Sequence, residues 1–137
     1  MRDLVQITKG IAVVMTSVCL GLPVMAASTY VSGQIASHGS VLTSPTVKKD
    51  TASHVPASAY FSLFVNYDPS PSSHPLALRV RTESAVPASD VISLSHAGNY
   101  VLNYYSDQGW KNAYYILRVA THTASSAGAE VTAVFQP

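Results

Sequence analysis

The sequence predicts an all-β protein, an antiparallel β-sandwich of six to seven strands that follows a signal peptide. Short segments rich in Val, Ile, Leu and Tyr alternate apolar with polar residues, which is the pattern of half-buried strands. Clusters of Gly, Pro, Asn, Asp and Ser separate these segments at fairly even intervals. No helical period of useful length occurs after the first 27 residues. Together these observations favour two packed antiparallel sheets.

Residues 1–27 have the composition of an export signal. Arg2 and Lys9 precede a largely apolar run over 11–26, which ends in small residues that signal peptidase accepts. We therefore expect cleavage after Ala26 or Ala27 and a secreted, extracellular protein. The apolar run is broken by glycine and proline, so we expect no stable membrane span after cleavage.

The composition of the remaining roughly 110 residues is that of one ordinary globular domain. Charged residues make up 11% of the chain and hydrophobic residues 47%. Without the signal, six basic residues balance six acidic ones, and such a sparse set gives no electrostatic steering toward nucleic acid, anionic lipid or an acidic substrate. The single cysteine, Cys19, lies inside the signal, and the residues before it lack a lipid-attachment motif. The mature protein is therefore expected to have no disulfide.

Residues 28–57 are predicted to form a short strand and a polar loop that belong to the same domain as the rest. The strand is expected at 30–35. The segment 36–57 contains Pro45, Pro56 and the charged cluster Lys48-Lys49-Asp50. Prolines cannot donate to a β-ladder, so this segment is predicted to be a long loop with room for one edge strand.

Residues 58–137 are predicted to form the body of the sandwich. The segments 60–67 and 76–83 both alternate, and pairing Tyr67 with Leu76 would bring Leu63 opposite Val80 in the core. The loop between them contains three prolines and is expected to be stiff and exposed. Further strands are predicted at 91–94 and 130–135.

The stretch 98–119 is predicted to form a β-hairpin. Two runs rich in Tyr, Val, Ile and Leu flank the polar sequence SDQGWKN, and Gln108-Gly109 would be the centre of the turn. This register separates a core face from a mixed aromatic and polar face. The predicted core face comprises Tyr100, Leu102, Tyr104, Ala113, Tyr115, Leu117 and Val119.

The run from Leu94 to Leu102, LSHAGNYVL, resembles the L-x-x-A-G-x-Y-x-L signature of many secreted β-sandwich modules. The chain end, Tyr115-Ile-Leu-Arg118 followed by Val131 to Pro137, is similar to that of small secreted Gram-positive proteins of unknown function. The resemblance covers about the last 45 residues. It implies a sandwich fold and export, and it carries no activity.

The mixed face of the predicted hairpin is the candidate binding surface. Flat aromatic rings beside amide groups suit stacking against a sugar ring or a peptide. In the alternative interpretation, a second sheet or the 36–57 loop covers this face, and the tryptophan caps the core. The candidate binding residues are Tyr105, Tyr114, Trp110, Arg118 and Asn103.

Neither a catalytic site nor a metal or cofactor site is predicted. Four of the five histidines follow a serine, but neighbours on a strand point to opposite faces, and a nucleophile takes its base from elsewhere in the chain. Successive histidines are 16 to 26 residues apart, which is not the local spacing of a metal site. The acidic residues form no local motif for glycoside hydrolysis.

The sequence therefore favours a secreted, non-enzymatic binding module or cell-envelope-associated protein. Cell-wall or glycan material is the expected partner. The alternative is a secreted toxin-like or bacteriocin-like antagonistic protein, because small exported proteins without catalytic motifs include this class.

Overall fold

The computed structural model describes residues 27–137, so the predicted signal peptide lies outside the described residues apart from Ala27. Within them, no helix is long and apolar enough to cross a membrane. The described chain forms nine strands: β1 Thr29–Ile35, β2 Val41–Thr43, β3 Val47–Lys48, β4 Ala57–Asn66, β5 Leu76–Thr82, β6 Ile92–Leu94, β7 Gly98–Leu102, β8 Tyr114–Ala120 and β9 Ala129–Gln136.

The predicted antiparallel β-sandwich is confirmed. The first sheet has the order β1-β9-β4-β7. The second sheet has the order β2-β8-β5-β6, and β3 also pairs with β8. Consecutive strands mostly lie in different sheets, so the connections cross from one layer of the sandwich to the other.

The core lies between the two sheets and consists of alternate residues of the long strands, as the period of two requires. In β9, for example, Val131, Ala133 and Phe135 are fully buried. The fully buried residues of the second sheet include Leu78, Val80, Leu117 and Val119.

The predicted hairpin over 98–119 is wrong. β7 pairs with β4 in the first sheet, whereas β8 pairs with β2, β3 and β5 in the second. The two strands therefore lie in different sheets and share no ladder. Their predicted core residues Leu102, Tyr115, Leu117 and Val119 are nevertheless buried, because a strand hides the same face in either arrangement.

The predicted pairing of 60–67 with 76–83 is wrong for the same reason, since β4 and β5 also lie in different sheets. In addition, β4 contains a bulge. Phe61 lies opposite Ala133, but Leu63 lies opposite Thr132, so one extra residue stands between them. The extra residue reverses the alternation, and as a result Phe64 packs against the core while Leu63 is exposed.

The segment 36–57 contains two short strands that run along one edge of β8. Pro45 separates them, as expected of a residue without an N–H group. At the interruption, the Ser44 N–H donates to the Leu117 carbonyl at 2.9 Å. The Leu117 N–H donates to Ser44 Oγ at 2.9 Å, so a hydroxyl replaces the missing main-chain acceptor.

Lys49 is fully buried, although its place in a charged cluster suggested a solvated loop. Its ammonium group donates to Thr51 Oγ1 at 2.6 Å and to the Val55 carbonyl at 2.7 Å, and it lies 5.0 Å from the centre of the Tyr104 ring. Burial lowers the pKa of Lys49, although the negative charge of Asp50 acts in the opposite direction. The side chain thereby attaches the 36–57 segment to the core.

Candidate functional site

The connection between β7 and β8 carries most of the candidate binding residues, and Tyr115 holds it in place. The buried Tyr115 hydroxyl accepts hydrogen bonds from the N–H groups of Gly109 at 2.8 Å and Trp110 at 3.1 Å. Gly109 has a φ of 85°, and a Cβ atom there would lie 2.7 Å from the Tyr104 ring. Glycine is therefore required at this position, which makes the backbone beside Trp110 well defined.

Trp110 is half exposed on this rigid backbone, at 50% of its full surface. Its indole N–H donates to the Asp107 carbonyl at 3.0 Å. The indole ring packs against the His54 ring in an edge-to-face arrangement, with 4.6 Å between ring centres. The His54 N–H donates to the Gly109 carbonyl at 2.7 Å. Because the His54 ring and the hydrogen bond from the indole nitrogen both hold it, the indole is oriented before any ligand arrives.

Trp110 and Tyr114 both line a shallow depression of about 530 Å³, called here the aromatic groove. Tyr114 is 43% exposed on the outer side of β8. Polar groups from the β5–β6 and β7–β8 connections complete the lining. The groove residues with side chains able to stack or hydrogen-bond are Trp110, Tyr114, Gln108, Asn112, Glu83, Ser84 and Thr82.

This lining combines flat apolar rings with amide, hydroxyl and carboxylate groups. Rings that are half exposed can stack on the apolar face of a ligand, and the polar groups can bind its hydroxyls. Among the lining residues, Glu83 alone carries a carboxylate. The groove therefore has the chemistry to hold a sugar ring, whereas glycoside hydrolysis ordinarily uses a pair of carboxyl groups.

The other three candidate residues lie outside the groove. Tyr105 is partly buried, and its hydroxyl accepts a hydrogen bond from Arg79 Nη2 at 3.3 Å. Asn103 is exposed next to the end of β7. Arg118 lies on the outer face of the second sheet, on the same side of β8 as Tyr114. The structure thus brings together Trp110 and Tyr114 and separates them from Tyr105 and Asn103.

The sequence does not reveal that Arg79 and Arg81 are spatial neighbours of Arg118. Arg79 lies directly opposite Arg118 in the β5–β8 ladder, and Arg81 lies opposite Ile116. The alternation in LALRVRTE places both arginines outward, but only the ladder register shows that they neighbour Arg118. No local motif carries that information.

Asp68 and His74 connect two loops on another part of the surface. The Asp68 carboxylate is buried and accepts hydrogen bonds from the Ser70 N–H at 2.7 Å and the Ser126 N–H at 3.0 Å. His74 Nδ1 lies 3.0 Å from the same carboxylate, and the His74 ring packs against His122 with 4.8 Å between centres. In the described chain no hydroxyl is hydrogen-bonded to His74, and no three potential ligands cluster around a metal position.

The variant Asp68→Asn should lose less stability than the wild type when the pH is lowered. Burial alone would raise the pKa of Asp68, but the hydrogen bonds that it accepts hold that pKa well below its ordinary value of 3.8. The unfolded chain therefore takes up the proton first. The resulting stabilisation is present above about pH 4 and is lost as the pH falls toward the lower folded-state pKa.

The measurement is thermal unfolding at pH 6 and pH 3 for the wild type, Asp68→Asn and the control Asp107→Asn, which alters a carboxylate in an exposed turn. The difference in melting temperature between the two pH values should shrink for Asp68→Asn alone. If Asp68→Asn shows the same difference in melting temperature as the wild type, the lowered pKa of Asp68 is contradicted.

Fold and surface together define an antiparallel β-sandwich protein with an aromatic groove beside its second sheet. The chain matches no family model, no curated protein and no solved structure. The resemblance to small secreted Gram-positive sandwiches stays a prediction.

Proposed function

We propose that the protein is an exported, non-enzymatic binding module of the cell envelope that holds a polysaccharide in the aromatic groove. One observation carries the proposal: Trp110 and Tyr114, about half exposed, line the same depression as the amides of Gln108 and Asn112. Two exposed rings in one concave surface with amide groups are the features that favour sugar stacking.

The rigidity of the groove supports the same function. Its floor is held by the Tyr115 hydroxyl, by Gly109 and by the hydrogen bond from the Lys111 N–H to Ser53 Oγ at 2.9 Å. A surface that is already ordered loses less conformational entropy on binding, so more of the stacking energy appears as affinity.

The double variant Trp110→Ser/Tyr114→Ser should lose retention on insoluble cell-wall polysaccharide while remaining folded. Both side chains are about half exposed, so their removal should cost much less stability than removal of a buried aromatic residue. Retention is measured by pull-down with purified cell wall and neutral polysaccharides, and folding by thermal unfolding.

Tyr60→Ser is the matched control. Tyr60 is 50% exposed, like Trp110, but lies on the outer face of the first sheet. This variant should be retained like the wild type. Equal retention of the wild type and the double variant would contradict the groove as the binding site. If no polysaccharide retains the wild type, the antagonistic function becomes the better proposal, and growth inhibition is the assay for it.

A further inference from the structure

The outer face of the second sheet gathers three arginines, Arg79, Arg81 and Arg118, called here the arginine cluster. Arg79 and Arg118 are direct neighbours across the β5–β8 ladder, and Arg81 lies one outward position along β5. All three are partly buried. Like charges this close repel each other, and burial strengthens the repulsion.

The protein positions two of these side chains with neutral acceptors. Arg79 Nε donates to the Ser89 carbonyl at 2.9 Å. Arg81 Nη1 donates to the Ala85 carbonyl at 2.8 Å. These bonds hold the guanidinium groups in place without neutralising their charge.

Arg118 has no hydrogen-bond or carboxylate partner within residues 27–137. Burial lowers its pKa, and the charges of Arg81 and Arg79 lower it further. An arginine cannot relieve this cost by losing its proton, because a guanidinium group stays protonated in proteins. The nearest acidic residues along the chain, Glu83 and Asp90, form no ion pair with the cluster in the described part of the molecule.

We propose that the arginine cluster binds oxyanion groups carried by the polysaccharide that occupies the aromatic groove. Guanidinium groups match the geometry of sulfate, phosphate and carboxylate oxygens and form their strongest hydrogen bonds with them. An anion would supply the countercharge that the protein itself does not. This inference rests on the proposed function and makes its ligand a charged polymer.

The cluster and the groove lie on one continuous surface. Tyr114, Ile116 and Arg118 all point to the outer side of β8, which places Tyr114 about 13 Å from Arg118 along the strand. A ligand that reaches both must therefore be longer than a single sugar. A polymer with repeated charged substituents meets this requirement.

Binding of four dextrans with the same backbone tests the inference: neutral, sulfated, phosphorylated and carboxymethylated. The wild type should bind at least one charged dextran more tightly than the neutral one, and that preference should fall as salt is added. The form bound most tightly identifies the oxyanion. Equal binding of neutral and charged forms would overturn the inference.

Arg118→Gln should weaken binding of the preferred charged dextran by about tenfold or more, because a charge-assisted hydrogen bond is lost. Ser32→Glu is the matched control, since it lowers the net charge by the same single unit at an exposed position of β1, in the other sheet from the cluster. Arg118→Lys keeps the charge but lacks the planar guanidinium group, so its affinity should lie between those of the wild type and Arg118→Gln. Equal losses in Arg118→Gln and Ser32→Glu would show only nonspecific attraction, against the inference.

A second readout needs no polysaccharide. Sodium sulfate or phosphate should raise the melting temperature of the wild type and of Ser32→Glu more than that of Arg118→Gln, with sodium chloride of equal ionic strength as the reference. The comparison between variants removes the general stabilisation that these salts give. Identical increments in all three proteins would overturn the arginine cluster as an anion site.

The two proposals fail separately. If Trp110→Ser/Tyr114→Ser still binds polysaccharide while Arg118→Gln loses the anion effect, the groove is wrong and the cluster stands as an anion site. If the double variant loses binding but Arg118→Gln behaves like the wild type in both readouts, the groove stands and the cluster is wrong.

Discussion

Leu117→Ala is expected to lower the free energy of unfolding by about 2–5 kcal/mol. Leu117 is fully buried near the middle of β8, the strand to which β2, β3 and β5 all attach. Its partner across the β5–β8 ladder is the fully buried Val80. Truncation removes apolar contacts and leaves a cavity that strands on both sides prevent from collapsing, so the cost should lie well above that of a surface change.

Arg118→Ala, at the next position of the same strand, is the matched control. Its guanidinium has no partner in residues 27–137 and is repelled by neighbouring arginines. The change in unfolding free energy should therefore lie within about 0.5 kcal/mol of zero. Urea unfolding of both variants measures the contrast. Similar losses at the two positions would mean that the assigned inward and outward faces of β8 are wrong.

Alternation explains why the inward residues of β5, β8 and β9 could be predicted from the sequence. A strand with one wet side must place every second side chain in the core, whatever its neighbours are. The bulge in β4 was not predictable in this way, because Ser62 looks like any other polar position until the β9 register shows two residues opposite one.

The strand partners could not be predicted, because alternation contains no information about them. β7 and β8 have the pattern of a hairpin, and so do β4 and β5. Two apolar faces bury each other equally well when the strands belong to opposite sheets and meet across the core. Deciding between the two arrangements requires contacts between residues far apart in the chain, such as those between β1 and β9.

The candidate site was predictable only in part, because it too depends on contacts between residues far apart in the chain. The sequence identifies Trp110 and Tyr114 as candidate binding residues, but the groove also needs Thr82 at the end of β5 and Glu83 just after it, which are distant in the chain. The arginine cluster depends wholly on register, since Arg79 and Arg118 are 39 positions apart and become neighbours only in the β5–β8 ladder. Lys49 is buried because loop acceptors surround it, and no sequence pattern marks them.

Tyr115→Phe is expected to destabilise the protein by about 1–3 kcal/mol and to weaken the groove, although the ring stays in place. The lost hydroxyl accepts hydrogen bonds from the N–H groups of Gly109 and Trp110. Gly109 is buried, so its N–H would be left without an acceptor and without water, a situation that costs about 1–3 kcal/mol per group.

Tyr100→Phe is the matched control, because it also removes a single tyrosine hydroxyl. That hydroxyl donates to the His96 carbonyl at 2.7 Å, but the bond is exposed, and its loss should cost only about 0.5–1.5 kcal/mol. Chemical unfolding gives the two stabilities, and the fluorescence of Trp110, the single tryptophan of the chain, reports the groove directly. Tyr115→Phe should change the native emission and reduce polysaccharide retention, whereas Tyr100→Phe should change neither. If both variants kept the emission and retention of the wild type, the Tyr115 hydroxyl would not be what positions Trp110, and the rigidity argument for the groove would fail.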